Sequence, residues 1–164
     1  MPQGDYTFDR GDFGLLLIRK AYPERTDGES AVIRAYLLDY LSSFDAITFG
    51  KRVGRGELPD PTHLPAIQQQ TVLNTKKRID ILAMRGRQPI IIEIKQIVTP
   101  AALGQILTYR HHYVEEHPDA PEPELVVVGR EGDADSIAAL QGHGVTVYLY
   151  PEAIAPRAPT VGRV

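Results

Sequence analysis

In the segment RIDILAMRGRQPIIIEIK, residues 78–95, the polar residues fall on one face of an expected β-hairpin. A two-residue turn at Gly86 and Arg87 sets the register, because Gly at the first central position suits a type II′ turn, whose twist matches that of the strands it joins. Arg85 then faces Gln88, and counting outward Asp80 falls opposite Glu93. Successive side chains alternate between faces. One face should carry Ile79, Ile81, Ala83, Ile90, Ile92 and Ile94, unbroken core. The other carries Arg78, Asp80, Leu82, Met84, Ile91, Glu93 and Lys95, apolar toward the turn and ionic toward the open end.

Elsewhere the pattern predicts a helix over 27–43, with Asp27 as its cap and Val32, Ile33, Tyr36, Leu37, Tyr40, Leu41 and Phe44 on its apolar side. Residues 46–53 read as a strand. The Pro-broken loop 54–65 is a candidate substrate-contacting flap, and 67–75 reads as a second extended stretch. Thr99-Pro100 supplies a cap and a Pro at the first helical position, for a helix to about 116 that HPDAPEPE must end. A strand at 125–129, a helix at 134–142 and a strand at 145–150 follow. The apolar run within 12–21 leans to a strand or irregular structure. The order α-β-β-β-α-β-α-β makes this an α/β chain, a mixed sheet flanked by helices. Residues 1–150 are expected to form a single domain, with 1–26 an extension of undefined structure and 151–164 a Pro-rich tail, mobile or draped over the surface.

Like charges directly opposite one another destabilise a strand pair. Two carboxylates about 4 Å apart at an effective dielectric near 20 repel by roughly 4 kcal/mol. A divalent cation between them would reverse the sign. The plainer alternative is that Asp80 and Glu93 are solvated and paired with Lys95 and Arg78, but the apolar run Ile90 to Ile94 around Glu93 is not that of an exposed strand.

Asp80 followed across a hairpin by Glu93-Ile94-Lys95 resembles the core motif of the PD-(D/E)XK nuclease superfamily. Gln105 and Tyr109 in GQILTY are similar to the QxxxY motif of its RecB, lambda-exonuclease and NucS-type branch, and Glu29 to the acidic residue on its first core helix. Ile79 stands where many members have Pro, and the resemblance covers roughly residues 29–150. It implies a restriction-endonuclease-like core and a Mg²⁺- or Mn²⁺-dependent deoxyribonuclease using one or two ions. Asp80, Glu93, the Ile94 carbonyl and Glu29 would be metal ligands. Lys95 would orient or help deprotonate the attacking water, and Gln105 and Tyr109, four apart on one helix face, would position a carboxylate, a water or a phosphate.

Composition adjusts this picture. The net charge is −3, yet residues 76–110 carry +5 and the remainder therefore −8. Lys76, Lys77, Arg78 and Arg110 in that segment are candidate phosphate contacts around an acidic centre. DNA is the expected polymer, with RNA left open. Without Cys, a long apolar run or a charged-then-apolar leader, the expectation is a cytoplasmic protein with no membrane span and no disulfide. No P-loop pattern is present, so no nucleotide cofactor is expected. Adjacent His111 and His112 point about 100° apart on a helix and no third ligand is evident, which speaks against zinc; they would be exposed or reach a phosphate. A homodimer or partner protein that clamps the duplex, with Leu15 to Ile18 as its contact, is one expectation for substrate capture. The alternative functional class is an inactive nucleic-acid- or protein-binding module that kept the scaffold.

Overall fold

The structure, a computed structural model, describes residues 5–155. It is an α/β fold built on a six-stranded mixed sheet whose strands lie in space in chain order. The strands are β1 (Tyr6–Asp9), β2 (Ala46–Val53), β3 (Lys77–Arg85), β4 (Gln88–Val98), β5 (Glu124–Gly132) and β6 (Val145–Leu149). The first four are antiparallel, and β4, β5 and β6 are parallel. Two crossover helices, α4 (Pro100–Glu116) and α5 (Ala134–Gly142), join the parallel strands. They bury Ala102, Ile106, Tyr109, Tyr113 and Leu140 against Leu82, Ile91, Leu125 and Val127. Helices α1 (Phe13–Ile18) and α2 (Asp27–Tyr40) cover the opposite face, where Leu16, Ile33, Tyr36 and Leu37 meet Ile47, Ile81, Ile92 and Val128.

The hairpin has the expected register, Arg85 pairing with Gln88 and Ile81 with Ile92. Gly86 sits at φ +57°, and Arg87 is not left-handed, as a type II′ turn requires. Four readings need correction. The run around Leu15 is the helix α1 rather than a strand, with Phe13 and Leu16 turned inward. With β1 it makes the expected extension part of the sheet and core. Thr26, not Asp27, caps α2, in a reciprocal capping box with Glu29. The stretch 67–75 lies in a helix, α3 (Pro65–Thr75), which starts with Pro at its first turn and buries no residue. Finally, Ile79 does not share the face of Ile81: it packs in the α4 cluster with Val53, while Ile81 and Phe49 pack in the α2 cluster.

That last difference has a local cause. Between Phe49↔Ile81 and Lys51↔Ile79 the pairing of Gly50 with Asp80 is missing. Gly50 is left-handed at φ +70°, and a Cβ there would meet Arg78 Nη2 at 2.6 Å. Side-chain alternation reverses across this point in both strands. Of the expected tail, Ala153 is buried in the α2 cluster and the residues from 156 onward lie outside the described ones.

Candidate functional site

The break at Gly50 and Asp80 is also where β3 and β4 part. Their ladder ends at Ile81↔Ile92, so Asp80 and Glu93 are not a backbone pair as the register alone implied. Asp80 uses its side chain instead: Oδ2 accepts the Ile94 N–H at 2.8 Å. On its other side β4 pairs in parallel with β5 from Ile90 onward, Glu93 with Val127 and Lys95 with Gly129. At the divergence a small cluster of buried ionic side chains, here the chamber, sits inside an otherwise apolar sheet.

Glu93 is 1% exposed and Asp80 6%, which puts both carboxylates out of reach of bulk solvent. Glu93 Oε1 receives Lys95 Nζ at 2.8 Å, but Glu93 Oε2 is buried with no hydrogen-bond partner. Burial, then the negative charge of Asp80, pushes the Glu93 carboxyl up to about 8, against the pull of Lys95. Tyr109, from the sheet-facing side of α4, closes the chamber. Its phenol is raised by burial and by Glu93 and Asp80, with the charge of Arg25 and a hydrogen bond with Gln105 acting in the opposite direction. Asp80, Glu93, Lys95, Gln105 and Tyr109 are therefore brought together, as the spacing predicts.

A residue that sequence reasoning missed completes the chamber. Arg25 Nη1 stands 2.7 Å from Asp80 Oδ1, both side chains being largely buried. The repulsion expected to require an ion is thus already offset in part by a protein cation. Arg25 lies just before the N-cap of α2, where a positive charge opposes the helix dipole, and that mismatch was the available signal.

Other expected site residues are placed differently. Glu29 Oε2 accepts from Thr26 N at 2.9 Å and from Thr26 Oγ1 at 3.0 Å, and it makes no hydrogen bond or ion pair with Asp80 or Glu93 among the described residues. It is nonetheless tied to the strand, because Gln96 Nε2 reaches Thr26 Oγ1 at 3.3 Å. The Ile94 peptide enters the site through its N–H. Arg78 is engaged by Glu24 and Arg110 by Glu122, so each would have to exchange a carboxylate for a phosphate. Lys76 and Lys77 make no ion pair among the described residues. Lys77 lines a hollow of about 390 Å³ with Ala101, Gly104, Gln105, Thr108 and Tyr109. Lys76 lines a second hollow, of about 550 Å³, with Gly54, Arg55, His112, Glu115 and Glu116. The two hollows bring these lysines alongside α4, the helix that closes the chamber.

For His111 and His112 a third ligand does exist. Glu115 Oε2 lies 3.6 Å from His111 Nε2 and 3.7 Å from His112 Nδ1, on the outer surface of α4.

The donors of the chamber suit a hard divalent ion: two carboxylates, one with an orphan buried oxygen, and no sulfur or imidazole. Oxygen ligands of this kind are what Mg²⁺ and Mn²⁺ accept. No helix among the described residues is long and apolar enough to cross a membrane.

No protein-family profile and no curated protein sequence matches the chain. A solved structure described as a protein of unknown function, AF1548, is similar at 13% identity and a TM-score of 0.39 over 73% of this chain. The chain spans 56% of the length of that structure. A likeness that slight bears on neither fold nor chemistry.

Proposed function

We propose that the protein is a Mg²⁺- or Mn²⁺-dependent nuclease that hydrolyses phosphodiester bonds of DNA, a member in chemistry of the PD-(D/E)XK class its motifs resemble. The observation that carries this reading is the buried Asp80–Glu93 pair with Lys95 on one oxygen and nothing on Glu93 Oε2. Each carboxylate has a cation, Arg25 on Asp80 and Lys95 on Glu93, yet the two still lie close enough for Asp80 to raise Glu93, and an ion of opposite sign shared between them would turn that repulsion into attraction. Asp80 and Glu93 would hold the ion, with the Ile94 carbonyl as a further oxygen donor; Glu29, whose Oε2 is taken by Thr26, would have to leave its capping box to join them. Such an ion supplies Lewis acidity at phosphate and lowers the pKa of a bound water.

The protein's own groups then have separate tasks. Lys95 is anchored by Glu93 with its side chain partly exposed, so it can orient the attacking water and offset charge growing on phosphate oxygens. Tyr109, a phenol kept protonated and hydrogen-bonded with Gln105, could donate a hydrogen bond to a carboxylate, a water or a phosphate. Lys76 and Lys77 meet the backbone of the polymer on its way past α4.

One observation favours a second reading. Arg25 already neutralises Asp80, as it would in a nucleic-acid- or protein-binding module without catalysis. Incubation with linear and structured DNAs in Mg²⁺ and Mn²⁺, with Asp80→Asn and Glu93→Gln as controls, separates the two. Cutting that both substitutions abolish supports the nuclease. No cutting, together with no thermal stabilisation by either ion, supports the module.

A further inference from the structure

We propose that Arg25 is a resident counter-ion for Asp80 that a divalent ion displaces, so that metal and substrate phosphate are loaded together. This rests on the nuclease reading of the Asp80–Glu93 chamber and concerns its regulation.

Both oxygens of Asp80 are in use. Oδ2 accepts the Ile94 N–H, a main-chain bond at the point where the strands part, and Oδ1 carries Arg25 Nη1 at 2.7 Å. An ion shared with Glu93 must take Asp80 charge density that the guanidinium now holds. The two cations would share one carboxylate at a distance of a few ångströms, where like charges repel, and Arg25, unlike Lys95 on Glu93, sits on the oxygen of Asp80 that the ion needs. The ion and Arg25 therefore compete for one carboxylate.

Arg25 is built to leave. Its Nε is buried without a hydrogen-bond partner, so its present position satisfies the guanidinium incompletely. It belongs to the connection between α1 and α2 rather than to either helix, and the residue before it, Glu24, is left-handed at φ +57°. Glu24 is held by Arg78, which in turn lies over Gly50. A displaced guanidinium beside the chamber needs an anion, and its planar fork matches a phosphate better than an ammonium would. A phosphodiester entering with the ion supplies that anion. The chamber therefore exchanges one cation for another, with the displaced one turning to the substrate.

Coupling follows in both directions, since whatever draws Arg25 away from Asp80 favours the ion and the ion favours whatever receives Arg25. In the full chain, Mn²⁺ affinity measured by titration calorimetry should be weak alone and rise at least tenfold with a phosphorothioate oligonucleotide that resists cutting. Arg25→Gln should bind Mn²⁺ at least tenfold more tightly than the natural protein without oligonucleotide, and addition of the oligonucleotide should then raise its affinity less than threefold. Mn²⁺ binding to Arg25→Gln equal to or weaker than that of the natural protein overturns the proposal, as does an unchanged oligonucleotide effect. If Arg25→Gln does not fold, the same decision is taken on the natural protein: no tightening of Mn²⁺ by the oligonucleotide overturns it. Asp80→Asn and Glu93→Gln keep the two levels apart. If neither lowers Mn²⁺ affinity, the ion is bound elsewhere and the nuclease reading fails with the proposal. If both lower it and Arg25→Gln has no effect, Arg25 alone is wrongly assigned.

Discussion

Asp80 Oδ2 accepts the Ile94 N–H at 2.8 Å, so one side chain takes the place of a backbone hydrogen bond where β3 and β4 separate. The same carboxylate carries Arg25. Asp80→Asn keeps an acceptor for Ile94 and loses the charge: cleavage should fall at least a thousandfold. Asp80→Ala leaves a buried guanidinium and a buried N–H unpaired and should also cost about 3–5 kcal/mol of stability. Urea denaturation with a nuclease assay on both variants checks the contrast; equal stability of the two would contradict it.

Lys95 touches Glu93 through its ammonium, and its side chain is 26% exposed. Lys95→Ala should lower the single-turnover cleavage rate by about 10²–10⁴, the range for a positioned proton-transfer group. DNA binding, read by anisotropy, should remain measurable. Full activity in that variant would remove the role assigned to it.

Glu93 links stability to pH. Its carboxyl lies at about 8 in the fold against an ordinary 4.5. The folded chain therefore retains a proton that the unfolded chain has lost between those values, and stability should fall as pH rises through that window and level off above it. Glu93→Gln should flatten this slope, measured as the denaturant midpoint at successive pH values. Mn²⁺ needs the ionised form, so its affinity should rise over the same window with release of a proton. Calorimetry in two buffers of different ionisation enthalpy detects that proton.

Gly50 combines a left-handed backbone with a close approach by Arg78. Gly50→Ala should destabilise by about 1–3 kcal/mol, from strain at a non-glycine φ. Because Arg78 and Glu24 lead to Arg25, the substitution should also alter Mn²⁺ affinity. Thermal melting with and without Mn²⁺ reports both effects.

Lys76 and Lys77 are expected to meet phosphates, whereas Arg110 is held by Glu122. The double substitution Lys76→Ala and Lys77→Ala should weaken DNA binding and lower the slope of log affinity against log salt by about 1.4–1.8, because two fewer phosphates are neutralised. Arg110→Ala should leave the slope where it was. A reversed pattern would relocate the nucleic-acid path to the other side of α4.

The parts of this fold that were legible in the sequence are those with a local code. Gly86 named its turn, and the turn set the register as far as Ile81 and Ile92, one step short of Asp80 and Glu93; Thr99-Pro100 announced α4 and with it Gln105 and Tyr109. Helix α3 reads as an extended stretch because a helix that buries nothing has no apolar period to display, and its mixture of Thr, Val and Gln fits either state. The reversed face of Ile79 is hidden for another reason: it follows from a backbone twist at Gly50, on a different strand, although a glycine within a strand is a warning of such a twist. Arg25 stands out in the sequence only as a cation before a helix N-cap; its partner is set by where a loop ends after the sheet has formed, and no spacing encodes that.

The sheet places its six strands side by side in the order in which the chain supplies them. No strand has to be threaded between two that are already joined, so assembly can spread outward from the Gly86 hairpin by accretion at either border. The residues of the chamber supplied by 80–109 belong to the first units of that growth, whereas Arg25 arrives with the part that docks onto the opposite border. When the full chain refolds from denaturant, the carboxylates would then meet before their arginine arrives, and the cluster would pass through a stage without its guard.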